Sequence, residues 1–263
     1  MPNPSPVIGV IGGMGPHAGL DLVRNIFNET RARTDQEHLP VALLSLPHRI
    51  VDRARFLFNE TDENPADAIA AIARQLDTLG ATVAGMPCNT AHAPAIFDAV
   101  TAALQRTGHA IELIHMIQAT IDHVHATRTA VQRIGVLSTT ATVELQLYER
   151  PLAEAGFTFI PPDASMQQRV NQTIYDASYG LKGQSDPPTN RARKILIDAI
   201  RHLRERGAEA IILGCTELPL APLRALVDDV PLIDPAQILA RTLIRATYPD
   251  TLIKVDKPAL ANQ

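Results

Sequence analysis

Short apolar runs alternate with longer stretches of helical apolar spacing along most of the chain. The runs at residues 7–11, 41–46, 81–85, 134–137 and 210–213 have the length and β-branched content of buried parallel strands. Between them apolar residues recur every three or four positions, as at residues 65–79, which predicts amphipathic helices. This alternation predicts an α/β protein with parallel sheets flanked by helices.

The chain also contains two related segments. The run IGVIG at residues 8–12 recurs as IGVLS at 134–138, and the segments around Cys88 and Cys215 recur at almost the same offset, about 126 residues. We therefore predict two pseudo-symmetric domains with the active site in the cleft between them. The first comprises residues 1–113 together with 228–263, and the second comprises residues 114–227. The last strand and helix are expected to return to the first domain, because the second half is complete without them.

The sequence has only two cysteines, and each follows a predicted strand. Buried free cysteines usually serve only as packing. Here, however, Cys88 and Cys215 should lie at carboxyl ends of parallel strands, where α/β sheets bind ligands, and each precedes a probable helix that favours a thiolate. Two thiols on opposite sides of a cleft can take a proton from one face of a carbon and return one to the other. The polar neighbours that could orient a thiol or bind a carboxylate are Asn89, Thr90, Thr216 and Glu217.

Composition narrows the class of partner. The 263 residues carry a net charge of -4 with 20% charged residues, so no basic face is expected and nucleic acid and anionic membranes are poor partners. The N-terminal sequence lacks the pattern of a signal peptide, and no apolar run is long enough to span a bilayer. We predict a cytoplasmic protein with two free thiols that acts on a small molecule.

Three other sequence features bear on metal, nucleotide and carboxylate binding. Cys88 and His92 are four residues apart, but no paired ligand spacing supports zinc, and no metal site is predicted. Residues 13–18 fit the loose dinucleotide pattern G-x-G-x-x-A, yet the second strand ends in Leu-Pro-His where a ribose-binding acid should stand, so the glycines are expected to approach a small anion instead. Arg53 and Lys182 lie in irregular loops, one from each half, where they could bind a carboxylate at the cleft rim.

With these residues in view, the chain resembles the aspartate/glutamate racemase family, in its aspartate racemase branch. The matching motifs are GGMGP at 12–16, DQEH at 35–38, Asp52-Arg53, MPCNTAH at 86–92, GCTE at 214–217 and LIDP at 232–235. The resemblance implies a racemase that needs no cofactor, has two α/β domains and is usually a homodimer. It makes Cys88 and Cys215 the two acid/base groups.

The resemblance also implies the substrate contacts. The residues that would hold the amino and α-carboxylate groups are Asn89, Thr90, Thr139, Thr140 and Thr216. Arg53 and Lys182 match family residues that would bind the second carboxylate of an acidic amino acid, and Met14 and Glu217 complete the predicted set. Aspartate is the leading substrate and glutamate the next, because the two cations suit an acidic side chain. The departures from the family at His17 and Gly19 leave the exact amino acid open.

Several functions remain open at this level. Within racemases, the alternatives to aspartate are glutamate and a broad range of amino acids. Within the superfamily, a relative could isomerise or decarboxylate a small dicarboxylic acid such as maleate or an arylmalonate, although a decarboxylase of this kind needs only one thiol. A small-molecule binder without catalytic activity is the third class.

Overall fold

Four parallel strands form the sheet of the first half. In the computed structural model, which describes residues 5–127, 130–221, 223, 226–227 and 229–254, the strands are β1 (Val7–Gly12), β2 (Val41–Ser45), β3 (Ala81–Gly85) and β4 (Glu112–Ile114). Their order is β2-β1-β3-β4, and every pair is parallel. The apolar runs predicted at 41–46 and 81–85 are therefore confirmed as strands, and the run that ends before Cys88 is one of the two central strands.

Helices cover both faces of this sheet. They are α1 (Pro16–Asn28), α2 (Arg53–Leu57), α3 (Ala66–Thr78) and α4 (Pro94–Arg106). Pro16 and Pro94 stand in the first turn of α1 and α4, where the missing N–H costs nothing. The chain leaves α3 through Gly80, whose φ of +89° suits glycine. The sequence predicts that helix α1 continues to about residue 33, but it ends at Asn28, and Thr30 already pairs with Leu252 in an isolated bridge.

The second half repeats this plan. Its strands are β5 (Arg133–Leu137), β6 (Thr158–Ile160), β7 (Ala210–Leu213), β8 (Leu226–Val227) and β9 (Val230–Ile233), in the order β6-β5-β7-β9-β8. Four of them are parallel, and the two-residue β8 lies antiparallel to β9 at the edge. The predicted α/β class with two parallel sheets is confirmed.

Six helices accompany the second sheet and the return of the chain. They are α5 (Met116–Thr127), α6 (Thr140–Glu144), α7 (Glu149–Glu154), α8 (Ala164–Tyr175), α9 (Asn190–Glu205) and α10 (Pro235–Thr247). Apolar spacing alone predicts a single helix over residues 142–155, and this prediction is wrong: α6 and α7 are separate, and between them Gln146 takes a left-handed φ of +52°. That break lets Tyr148 leave the helical path and enter the core. No helix in the described part of the chain is long and apolar enough to cross a bilayer.

The last strand and the last helix lie on different halves. Strand β9 pairs with β7 of the second sheet, whereas the sequence analysis expected it in the first domain. Helix α10 does return: it packs against α1, α5 and β3, and Gln237 and Arg241 bind the carboxylate of Glu29 at the end of α1. The exact domain boundaries stay a prediction, and the predicted tail beyond Lys254 lies outside the described residues.

Candidate active site

Both cysteines lie just beyond the carboxyl ends of central strands, Cys88 after β3 and Cys215 after β7. Both are free thiols and nearly equally buried, with 5% and 6% of their surfaces exposed. They line one narrow cavity of about 20 Å³, which has room for about one water molecule. The structure thus brings the two thiols, which are far apart in sequence, into one almost closed site.

Most of the binding residues predicted from sequence line the same cavity. They are Met14, Arg53, Asn89, Thr90, Thr139, Lys182, Thr216 and Glu217. Thr140 is not among its lining residues: it is the first residue of α6, and its backbone N–H binds Asn171 Oδ1 at 3.0 Å. Thr139, one position earlier, caps that helix and faces the cavity. The lining residues that the sequence analysis did not include in its predicted site are Asp52, Ala54, Thr142, Tyr175 and Gly214.

Cys88 lies on the side of the cavity that carries Arg53. Asp52 caps α2 by accepting hydrogen bonds from the N–H groups of Ala54 and Arg55, and this cap fixes Arg53 in the first turn. Burial alone would lower the pKa of Arg53, but the negative charges of Cys88 and Asp52 raise it, so the guanidinium remains charged.

The guanidinium of Arg53 is buried but poorly bonded within the protein. Its contacts to the carbonyl oxygens of Val51 and Met14 are long, at 3.4 and 3.5 Å, and its Nε has no partner among the described residues. Buried donors are normally satisfied, so Arg53 has hydrogen-bonding capacity left for an anionic ligand.

Cys215 has an anionic neighbour instead. Its thiol donates a hydrogen bond to Glu217 Oε2 at 2.9 Å, and the other carboxylate oxygen of Glu217 accepts one from Lys182 Nζ at 3.2 Å. Burial and the charge of Glu217 raise the pKa of the Cys215 thiol well above its usual value. Burial would lower the pKa of Lys182, but Glu217 and Cys215 raise it. At neutral pH this side holds a protonated thiol and an ammonium group, and both bind Glu217.

Tyr175, which the sequence analysis did not include in the site, closes the cavity above Lys182. It is the last residue of α8, and Lys182 Nζ lies 5.4 Å from the centre of its ring. Burial, which outweighs the attraction of Lys182, raises the pKa of Tyr175 to about 12. The phenol therefore stays neutral, and its ring lies beside the ammonium group at the partly exposed edge of the cavity.

One buried hydrogen bond joins the two cysteine loops directly, and a second joins the Cys88 loop to Tyr148 of the second half. The Thr216 hydroxyl, next to Cys215, donates to the carbonyl of Pro87, next to Cys88, at 2.9 Å. The Tyr148 hydroxyl, from the second half, donates to Asn89 Oδ1 at 2.7 Å. Both bonds are buried, so they fix the relative position of the two loops.

Behind Cys88, His92 supports the loop rather than the cavity. Its Nδ1 lies 2.9 Å from the carbonyl oxygen of Cys88, and its ring stacks on Phe97. Burial, followed by the nearby His115, lowers the pKa of His92 to about 3, so the ring is neutral and donates to that carbonyl. No group of three or more metal-ligating side chains occurs in the described part of the chain.

The glycine loop forms the mouth of the site. Gly13 has a φ of +97°, and a Cβ there would come within 2.9 Å of the Pro47 backbone nitrogen, so this position requires glycine. A Cβ on Gly15 would come within 2.9 Å of Glu217 Oε1 and would displace that carboxylate. A second cavity of about 200 Å³ opens beside this loop and shares Met14, Arg53, Lys182 and Glu217 with the thiol cavity. The two cations thus lie between the thiols and a larger space.

The fold and the site together define a class: two pseudo-symmetric α/β halves that each supply one buried thiol to a shared cavity. Residues 11–243 match the model of the Asp/Glu/hydantoin racemase family, and the chain belongs to that family. This confirms the resemblance seen in the sequence and supports an isomerase of the racemase type.

Individual relatives agree with this assignment. The chain is 28% identical to Picrophilus torridus aspartate racemase, whose solved structure aligns with a TM-score of 0.77 over 92% of this chain and 94% of that one. It is 25% identical to the broad specificity amino-acid racemase RacX of Bacillus subtilis, over 92% of this chain and 98% of the relative. It is 29% identical to a glutamate racemase of Roseiflexus sp., over 73% of this chain and 66% of the relative.

Proposed function

We propose that this protein interconverts L- and D-aspartate by proton transfer at Cα between Cys88 and Cys215, without a cofactor. The observation that carries the proposal is the pair of equally buried thiols in one cavity, one at each pseudo-equivalent strand end. One thiolate takes the Cα proton, and the electron pair of the C–H bond is delocalised into the α-carboxylate. The other thiol then gives its proton to the opposite face of Cα, which inverts the centre.

The charges of the cavity suit an acidic substrate. Asn89 Nδ2 is buried, faces no partner among the described groups, and lines the cavity, so it is a ready donor to a carboxylate. Arg53 has unused donors for a second carboxylate, and Lys182 adds positive charge from the other half. Because the thiol cavity is nearly closed, these interactions would act with little water to weaken them.

A broader substrate range is the second candidate, and the adjoining cavity of about 200 Å³ favours it. That space begins at the two cations, so it could accept the longer side chain of glutamate. The similarity to a broad specificity racemase and to a glutamate racemase is in keeping with this alternative. A decarboxylase is disfavoured, because it would leave the second buried thiol without a role.

A chiral assay over acidic, neutral and basic amino acids tests the proposal. In deuterated water, aspartate should racemise and gain deuterium at Cα as it inverts, and EDTA or hydroxylamine should not abolish the reaction. Restoration of a lost activity by metal or pyridoxal phosphate would contradict the mechanism, and a preference for neutral or basic substrates would contradict the acidic assignment. The homodimer implied by the resemblance and the cytoplasmic location expected from the sequence both stay predictions, which sedimentation and cell fractionation would test.

A further inference from the structure

Tyr148 contacts both cysteine loops, although it lines neither the thiol cavity nor its mouth. It is 2% exposed, and its hydroxyl donates to Asn89 Oδ1 at 2.7 Å, one residue beyond Cys88. Its ring edge lies against Gly214, the residue before Cys215, where a Cβ would stand only 3.1 Å from Cε2. One side chain therefore spans the distance between the two loops that carry the thiols.

The hydrogen bond from Tyr148 determines which end of the Asn89 amide faces the cavity. An amide can present either its oxygen or its NH₂ group, and the two ends differ little in shape. Because Oδ1 accepts the hydroxyl proton of Tyr148, the NH₂ group is left toward the site, and it has no partner among the described residues. A buried donor without a partner is costly unless a ligand satisfies it.

We propose that Tyr148 is a positioning residue, which holds the Asn89 amide as a donor to a substrate carboxylate and keeps the Cys215 loop at a fixed distance from Cys88. The inference rests on the proposed function and adds to it a residue that does not touch the substrate. The reaction requires both thiols to reach opposite faces of one carbon, so the spacing between the loops has to be kept within narrow limits.

The protonation state of Tyr148 suits this role. Burial, together with the negative charges of Asp234 and Cys215, raises the pKa of Tyr148 above its usual value. The hydroxyl therefore keeps its proton at neutral pH and remains a donor to Asn89 Oδ1.

The test removes the hydroxyl alone. Tyr148→Phe should raise the KM for aspartate about tenfold, with a smaller fall in kcat, because the Asn89 amide is then free to turn. In an Asn89→Ala background the same change should cost less than about twofold, since the group that it positions is gone. Equal losses in both backgrounds would mean that Tyr148 acts only through stability and would overturn the proposal, as would wild-type kinetics of Tyr148→Phe.

Tyr248→Phe is the matched control. The Tyr248 hydroxyl also donates a hydrogen bond within the protein, to the backbone carbonyl of Pro6 at 2.6 Å. Unlike Asn89, however, neither Tyr248 nor Pro6 lines a cavity of the site. This variant should keep the wild-type KM and kcat. A wild-type enzyme that does not racemise aspartate would refute the proposed function itself, whereas an active wild type with an unaffected Tyr148→Phe variant refutes only the role of Tyr148.

Asn89→Asp provides a second test if Tyr148→Phe does not fold. With Tyr148 donating to one carboxylate oxygen, the other would face the substrate carboxylate and repel it, so the KM for aspartate should rise more than in Asn89→Ala. A lower KM in Asn89→Asp than in Asn89→Ala would mean that an oxygen faces an ammonium group there, and it would overturn the proposed orientation.

Discussion

The two cysteine loops occupy equivalent places in the fold, but their chemical surroundings differ. Each thiol follows a central parallel strand, and each is about 95% buried. On one side Cys88 lies near the hydroxyl of Thr90, at 3.5 Å, and near the charged Arg53. On the other side Cys215 donates to the carboxylate of Glu217, which also binds Lys182. The backbone is pseudo-symmetric, whereas the electrostatics are not.

This difference suggests how two similar thiols could act as base and acid in the same proton transfer. A two-base racemase needs one thiolate and one thiol at the same moment, and two identical sites would give no preference for which is which. Burial and Glu217 raise the pKa of Cys215 and keep it protonated. Under the proposed mechanism, Cys215 would therefore be the protonated thiol before substrate binds.

The largest effect is expected from removing either thiol. Cys88→Ala and Cys215→Ala should each lower net racemisation at least about a thousandfold, because each removes a positioned acid or base. The double variant should be scarcely slower than either single one, since the two act as a unit. The measurement is chiral chromatography of aspartate over time. Wild-type racemisation in either single variant would refute the two-base mechanism.

Arg53 is expected to give the next largest effect, because it is the cation on the Cys88 side. Arg53→Ala should lower kcat/KM for aspartate about ten- to a hundredfold, in keeping with the loss of a charge-assisted hydrogen bond of about 1.5–3 kcal/mol. A neutral substrate such as alanine should lose much less. The exposed Arg55 on the same helix is the control, and Arg55→Ala should leave both substrates unaffected.

Unchanged aspartate and glutamate turnover in both Arg53→Ala and Lys182→Ala would remove the argument for an acidic substrate. The two-thiol mechanism would survive that result, because it depends on the cysteines rather than on the cations.

Glu217→Gln would reduce the electrostatic difference between the surroundings of the two thiols. Because Glu217 raises the pKa of Cys215, its neutral replacement should lower that pKa and increase the thiolate fraction at neutral pH. Alkylation of Cys215 by iodoacetamide, followed by mass spectrometry, should become about tenfold faster, equivalent to about one pKa unit. The Cys88 rate should change little, and the exposed Glu205→Gln should alter neither rate. A slower reaction at Cys215 would contradict the inferred role of Glu217.

The smallest effect concerns the bond between the loops. Thr216→Val keeps the shape of the side chain but removes the donor to the Pro87 carbonyl, and it should lower the free energy of unfolding by about 1 kcal/mol. Thr216→Ser retains the hydroxyl and should be close to wild type. Urea denaturation followed by circular dichroism measures both. Equal stability of Thr216→Val and wild type would show that this bond contributes nothing net.

The sequence predicted the parts of the fold and site that depend on short stretches. The apolar runs before Cys88 and Cys215 are strong enough to identify both strands, and their repeat predicts that the two thiols belong to equivalent positions. The prediction that β9 belongs to the first domain is wrong, because nothing in its four residues specifies which of the two sheets it joins.

Side chains that reach the site from a distance carried no local signal. Tyr148 contacts the loops only because the chain breaks its helix at Gln146, and periodicity alone suggested one continuous helix there. Tyr175 is the last residue of α8, and its sequence context predicts only a residue of an amphipathic helix, although its ring lies over Lys182. Of the two adjacent threonines predicted to bind substrate, Thr139 lines the cavity and Thr140 binds Asn171 through its backbone N–H, so a substrate contact of Thr140 stays a prediction.

Under the proposed mechanism, the near closure of the thiol cavity means that the enzyme keeps a changed protonation state after each turnover. After each inversion the proton has moved from one sulfur to the other, so the protein that releases D-aspartate differs from the one that accepted L-aspartate. With room for about one water molecule beside the thiols, resetting the proton depends on brief exchange with solvent after product leaves. At high concentrations of both enantiomers this reset is expected to limit the rate, and tracer exchange would then slow as total substrate rises.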